Sequence, residues 1–258
     1  MPSSILLGVG RRKVSPSRVA AIALRIVRQI ARDRRTLALI FVVPAVVMAL
    51  VGASFPESAG SGVLSYLAPA LLAAMALFFA FILTGVSFLR ERTQGTLERL
   101  MASPVRQEEV VLGYLFGFSL FALVQSFVVL LFTIYVLDIN YSGALWQIIV
   151  FQVIVTLGSV NLGIFVSTYA RNEFQVTQFI PLVIMPQLFL SGVLWPVAQM
   201  PRYLQWASDF LPLTYAVRGL REVMLEGRGL KDVPLELGVL LAFAVSMSAL
   251  GAATLRRG

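Results

Sequence analysis

Two long uncharged runs constrain this chain more than any other feature. Residues 67–89 and 110–137 contain no Asp, Glu, Lys or Arg. Each exceeds the ~20 residues that an α-helix needs to cross the hydrocarbon core of a bilayer. In that core every backbone N–H and C=O must be satisfied internally, which leaves helices and closed barrels. The runs are continuously apolar rather than alternating, so helices are predicted. The remainder agrees: 58% of the 258 residues are hydrophobic and 13% charged, against roughly 25% charged in soluble domains. The chain reads as a single all-α integral membrane domain over residues 1–258.

Residues 1–16 read as a tail around Arg11, Arg12 and Lys13, and 1–10 lacks the charge-first order of a cleaved signal peptide. Over 17–35, Arg18, Arg25, Arg28, Arg32 and Arg35 fall within about a third of the helical wheel, with Val19, Ala23, Ile26, Val27 and Ile30 opposite. That pattern predicts an amphipathic helix lying in the membrane interface, apolar face down. Six spans are expected, at 36–55, 63–89, 109–137, 144–169, 174–194 and 234–255. Pro181, Pro186 and Gly192 predict a bent or broken fifth span. Thr156, Gly158, Ser159, Asn161, Gly163 and Ser167 predict close helix packing on the fourth. Residues 195–233 are too polar to span and too apolar for an open loop. They predict short interfacial or re-entrant helices, with Tyr203, Trp206 and Tyr215 at the interface.

Six spans place both termini on one side, together with sixteen of the 21 basic residues. Arg202, Arg218, Arg221, Arg228 and Lys231 fall on the other. The positive-inside rule then sets the termini, the 90–106 segment and the Arg171 turn in the cytoplasm. The connections at 56–62 and 138–143 and the 195–233 segment face outward. The net charge of +8 is thereby explained by the bilayer. No basic face is long enough to follow a nucleic-acid duplex.

Chemistry is excluded by what is missing. The chain has no Cys and no His, which removes disulfides, thiolate or imidazole metal sites, and Cys or His-activated Ser nucleophiles. Its two lysines, Lys13 and Lys231, follow no Gly-x-x-x-x-Gly pattern, so no phosphate loop is present. The chain is not an enzyme by itself, and any ATP energy must enter through another chain. The spans also lack the isolated charges that mark an ion or proton path.

The most charged internal segment, 90–106, sits between the two uncharged runs. It is predicted as a helix of about two to three turns. On it Glu91 and Gly95 fall at i, i+4, Arg92 and Arg99 share a face, and Pro104 ends the element. These residues leave two readings open: a docking helix for a cytoplasmic partner, or a solvated loop. Glu108 and Glu109 are expected to be solvated or ion-paired beside Arg106.

Gly95-Thr96-Leu97-Glu98-Arg99-Leu100, followed by Ser103-Pro104-Val105, resembles the cytoplasmic loop of type-2 ATP-binding-cassette exporter permeases. The second half resembles the drug- and lipid-exporting, daunorubicin-resistance branch of that family. There Leu162-Gly163, Ser167, Ala170-Arg171, Gln178, Pro186, Leu190-Ser191-Gly192 and Pro196 occur in order. Met200-Pro201, Leu204-Gln205, Pro212-Leu213-Thr214-Tyr215 and Leu220-Arg221 follow. One departure is Tyr114, where many relatives carry Lys.

The resemblance implies a permease of a prokaryotic inner membrane that pairs with a second permease copy and two ATP-binding subunits, which hold the ATP and Mg. Its coupling helix would engage that partner through Glu91, Arg92, Gly95, Thr96, Leu97, Glu98 and Arg99. The N-terminal helix would add a second contact through Arg25, Arg28, Arg32 and Arg35. Uncharged spans favour a hydrophobic or amphiphilic cargo. Met75, Phe78, Phe79 and Ile82, with Phe179, Met185, Gln187 and Phe189, are candidates to line its path. A polysaccharide-exporting permease and a non-transporting membrane scaffold are the competing readings.

Overall fold

The computed structural model describes residues 14–54, 61–102 and 105–255, with the backbone alone at 61, 62, 97, 98, 101, 252 and 255. The tail around Arg11, Arg12 and Lys13, most of the 56–62 connection, Ser103-Pro104 and Arg256-Arg257 lie outside the described residues. Among the described residues the structure is helical, with no strand.

The single helix expected over 17–35 is split in two. Helix α1 is Pro16–Arg32 and α2 is Arg34–Ser54. The cause is Asp33, whose carboxylate accepts the Thr36 amide at 3.1 Å and the Thr36 hydroxyl at 2.5 Å. An acidic side chain that satisfies the free N–H groups of a helix start nucleates a new helix there. Arg34 and Arg35 therefore belong to α2. The apolar stripe of α1, formed by Val19, Ile22, Ile26 and Ile30, is buried. It packs against α5 (Gln107–Tyr135), so protein rather than lipid covers the face expected to lie in the interface.

Helix α3 runs from Ser61 to Thr93, 33 residues, or roughly 50 Å at 1.5 Å per residue. That exceeds the ~30 Å of a hydrocarbon core, so α3 continues past 63–89 and absorbs Arg90 to Thr93. The predicted single helix over 90–106 is corrected accordingly. Gly95 adopts a left-handed φ of 68°, and a separate six-residue α4, Thr96–Met101, follows.

Helices α6 (Leu145–Ser167), α7 (Glu173–Leu190), α8 (Arg202–Ser208), α9 (Pro212–Met224) and α10 (Pro234–Leu255) complete the order. Among the described residues five helices, α2, α3, α5, α6 and α10, are long and apolar enough to cross a membrane. The expected fifth span, α7, is not among them. Its 18 residues include Glu173, Gln175, Gln178, Gln187 and two prolines. It is also unbroken, continuing through Pro181 and Pro186 before stopping ahead of Gly192, whose φ is 80°.

Helices α3 and α6 form the centre. Ala70, Ala73, Ala74 and Ala80 on α3 are fully enclosed, and small side chains permit such close helix approach. Around them α2 and α10 expose Leu39, Val42, Leu50, Leu241 and Val245, an apolar surface suited to acyl chains. Helix α9 is not an interfacial element on its inner side. Leu213, Ala216, Val217, Leu220, Val223 and Met224 are all buried, against α3, α6, α7 and α10. Tyr203 and Trp206 on α8 remain exposed, whereas Tyr215 packs on the core.

Candidate functional site

The last turn of α3 carries Arg90, Glu91 and Arg92, and each reaches a different part of the bundle. Successive residues on an α-helix point about 100° apart, so three in a row fan over more than half the helix circumference. Arg90 Nε donates to Glu173 Oε1 at 2.9 Å, at the start of α7. Its Nη1 also lies 3.9 Å from Asp33, at the α1–α2 joint. Arg92 Nη1 donates to the carbonyls of Ser167 and Thr168, at 3.0 and 3.1 Å. A guanidinium there meets the free carbonyls and the negative end of the α6 dipole.

Glu91 points inward and is 1% exposed. A buried carboxylate is costly unless paired and hydrogen-bonded, and here both conditions hold. Oε2 accepts from Arg25 Nη2 on α1 at 2.6 Å and from the Tyr114 hydroxyl on α5 at 2.6 Å. Arg25 Nη2 also donates to the Tyr114 oxygen at 2.8 Å, closing a three-membered network. Phe88 and Phe118 pack on the Tyr114 ring, with centroids 5.5 and 5.9 Å away. Burial opposes the charge on Arg25. Hydrogen bonding and attraction from Glu91 and Tyr114 exceed that effect and hold the guanidinium above its ordinary pKa.

A second tie fastens the start of α1 to the start of α5. Glu109, fully buried, accepts the Ser15 amide at 2.7 Å and the Arg106 amide at 3.0 Å, and Arg18 lies 3.6 Å away. Glu108 is partly exposed and pairs with Arg106 at 3.4 Å. Between these ties, glycines let the two helices touch. A Cβ on Gly113 would fall 2.6 Å from Ile22, and one on Gly117 would fall 2.8 Å from Ile26 Cβ. Gly113 and Gly117 are spaced as in small-xxx-small helix contacts.

Past this hub the chain turns at Gly95. The Gly95 amide donates to the Arg92 carbonyl, and the Gly95 carbonyl accepts from the Arg99 amide. A side chain other than Gly is strained in this conformation. On α4, Arg99 is exposed, Thr96 is half-buried, and Leu100 packs against the cluster that includes Ile30, Phe88 and Tyr114. The side chains of Leu97 and Glu98 lie outside the described residues.

The sequence-derived residues thus divide. Glu91 and Arg92 face the bundle rather than solvent. On α1, Arg25 faces Glu91, whereas Arg28 and Arg32, and Arg35 on α2, are exposed. Met75, Phe78 and Ile82 pack on the main core, and Phe79 is buried edge-on to Phe78 at 5.1 Å. Phe179 belongs to a separate small cluster with Leu89 and Val176. Met185 and Phe189 are exposed, and Gln187 is buried with its Oε1 unpartnered. One chain therefore does not gather these eight residues around a common lining.

Three participants escaped the sequence reading. Tyr114 stood out only as a departure from a pattern. The Gly113-x-x-x-Gly117 spacing was a usable signal for helix contact, and Asp33-x-x-Thr36 was one for a helix start. Among the described residues no group of three or more acidic side chains is placed to hold a metal. The arrangement links helices through charge.

An all-helical bundle whose described residues include five helices long and apolar enough to cross a membrane defines the class of integral membrane proteins. The chain belongs to the ABC-2 type transporter family, which matches residues 17–225. It is 32% identical over 184 residues to ABC transporter G family member 20 of Dictyostelium discoideum, covering 70% of this chain and 25% of that protein. It is 29% identical over 170 residues to the linearmycin resistance permease protein LnrN of Bacillus subtilis, covering 66% and 44%. It is 28% identical over 192 residues to the probable multidrug ABC transporter permease YbhR of Escherichia coli, covering 74% and 52%. The matched segments span a quarter to about half of these relatives.

Proposed function

We propose that this chain is the membrane-spanning subunit of an ATP-driven exporter of hydrophobic or amphiphilic molecules, and that α4 receives the mechanical stroke of a separate ATP-binding subunit. One observation carries the reading: α4 hangs on a glycine joint directly beneath a turn of α3 that is tied to α1, α5, α6 and α7. A push on α4 moves the hub, and the hub moves four helices together. The exposed Arg28 and Arg32 of α1 and Arg35 of α2 offer a second contact to the same partner. ATP and Mg are bound by that partner.

In this reading the hub faces the cytoplasm, α7 crosses the bilayer as the fifth of six spans, and a second permease copy completes the assembly. Residues such as Met185 and Phe189, exposed on one chain, then border a path between copies. The linearmycin-resistance and multidrug names of the bacterial relatives support a drug-like cargo; a lipid-like cargo and an inner-membrane location rest on the sequence resemblance.

The test is reconstitution with the ATP-binding partner in vesicles, measuring ATP hydrolysis and dye efflux together. Glu98→Arg on α4 is expected to abolish efflux while leaving the protein inserted and folded. Unchanged efflux in that variant would overturn the docking role. A wild-type complex that hydrolyses ATP without moving any amphiphile would instead favour a scaffold.

A further inference from the structure

At the opposite end of the bundle from the hub, a cavity of about 500 Å³ opens between α9, the α7–α8 link and the early part of α3. Its lining includes Tyr66, Ser191, Asp209, Arg221, Glu222 and Glu226. Arg221 is half-buried over the Tyr66 ring, 4.1 Å from its centroid. Its Nη2 donates to the Gly192 carbonyl at 2.9 Å and its Nε to the Tyr66 carbonyl at 3.4 Å. Among the described residues no carboxylate pairs with it. Burial holds its pKa below the ordinary value, against attraction from Tyr66. Two of the five guanidinium N–H donors are thereby used. Ser191 lines the same cavity, is 1% exposed, and its hydroxyl has no hydrogen-bond partner.

A buried hydroxyl without a partner, in one cavity with a guanidinium that has unused N–H groups, calls for an acceptor-rich group. The charge balance decides which kind. Glu222 and Glu226 share Arg228, at 3.1 and 3.0 Å, and Arg218 pairs with Glu236 at 3.8 Å. Asp209 is exposed and has no ion pair among the described residues. Counted with these partners, the lining carries one excess negative charge. A plain anion meets that excess, and a plain cation leaves Arg221 and Ser191 unmatched. A group that carries both signs satisfies both.

We propose that this cavity binds a zwitterionic headgroup, a phosphate joined to an amine, with the phosphate on Arg221 and Ser191 and the ammonium toward Asp209 and Glu226. The volume lies within the range of small-ligand sites. The neighbouring Tyr203, Trp206 and Phe210 are all more than half exposed, as aromatic side chains at lipid-headgroup level are. That placement favours an aminophospholipid as the source. The proposal rests on the reading above only in that a cytoplasmic hub puts α8 and α9 at the opposite, outer face of the membrane, and not on coupling to ATP.

The test uses the full chain in detergent micelles without nucleotide or partner, so that its failure is separable from failure of the coupling role. Binding of dihexanoyl phosphatidylethanolamine, dihexanoyl phosphatidylglycerol and free phosphoethanolamine is measured by calorimetry. The ethanolamine lipid is expected to bind at least about tenfold tighter than the glycerol lipid, the scale of one charge-assisted hydrogen bond. Arg221→Gln should weaken it by a similar factor. Asp209→Asn, at an exposed position, should narrow the preference between the two lipids without unfolding the chain. Free phosphoethanolamine binding as tightly as the lipid would assign the same chemistry to a soluble source. Equal affinity for the two lipids, or indifference to both substitutions, overturns the proposal.

Discussion

The hydroxyl of Tyr114 donates to Glu91 Oε2 at 2.6 Å, and both side chains are 1% exposed. The same carboxylate oxygen is shared with Arg25. Tyr114→Phe keeps the ring packing and removes one donor from a buried charge, which costs about 1–3 kcal/mol. Arg25→Ala removes the counter-charge and costs more, up to about 3–5 kcal/mol, because Glu91 is left buried without its guanidinium. Thermal unfolding in detergent should rank wild type above Tyr114→Phe and Tyr114→Phe above Arg25→Ala. The reverse order would mean that the phenol, not the ion pair, holds the network.

Helix α1 is held against α5 by the absence of side chains at Gly113 and Gly117. Gly117→Ala places a methyl group 2.8 Å from Ile26 Cβ, and overpacking of this kind costs about 1–3 kcal/mol. Gly238→Ala is the control, since a Cβ there meets nothing within 4 Å. Limited proteolysis should cut the α1–α2 joint faster in Gly117→Ala and at the wild-type rate in Gly238→Ala.

Arg92 closes the C-terminal end of α6 through two carbonyls. Arg92→Gln leaves those carbonyls without their charged donor, at a cost of about 1.5–3 kcal/mol per bond lost. Amide hydrogen exchange over 167–172 should accelerate, while exchange along α10 stays unchanged. Equal acceleration in both places would point to global destabilisation instead.

Asp33 carries a pH signature. The hydroxyl and amide of Thr36, with Arg90 adding attraction, hold its carboxyl below the ordinary 3.8. A carboxylate with a depressed folded pKa contributes stability above its unfolded value and loses it as pH falls through the folded one. Asp33→Ala should therefore lower the melting temperature at neutral pH, and its deficit should shrink as the pH falls below about 4. A deficit that stays constant into that acid range would show that the cap does not depend on charge.

Much of the bundle was readable because lipid leaves few options. The uncharged runs gave α2, α3, α5, α6 and α10 within a few residues, since backbone satisfaction forces helix wherever such runs occur. The errors arose where local polar chemistry overrode periodicity. Asp33 capped a new helix inside a continuous amphipathic pattern, and Gly95 divided one charged segment into the last turn of α3 and a separate short helix. Helical periodicity assigned Glu91 and Arg92 to a separate 90–106 helix, whereas they form the last turn of α3. It did not reveal which face was inside, because the partners Arg25, Tyr114 and Ser167 are 66, 23 and 75 residues away. Long-range pairing of this kind leaves no trace in the local pattern.

The alternation of sign along Arg90, Glu91 and Arg92 fixes how α3 can move. Rolling the helix by one residue, about 100°, would bring an arginine opposite Arg25 and turn Glu91 toward either Glu173 or the carbonyl end of α6. Like would then face like at several contacts, in a partly buried setting where repulsion is poorly screened. Tilting or sliding α3 stretches these contacts without exchanging them. Three consecutive charges thus oppose rotation of the helix about its own axis more strongly than a change in its tilt.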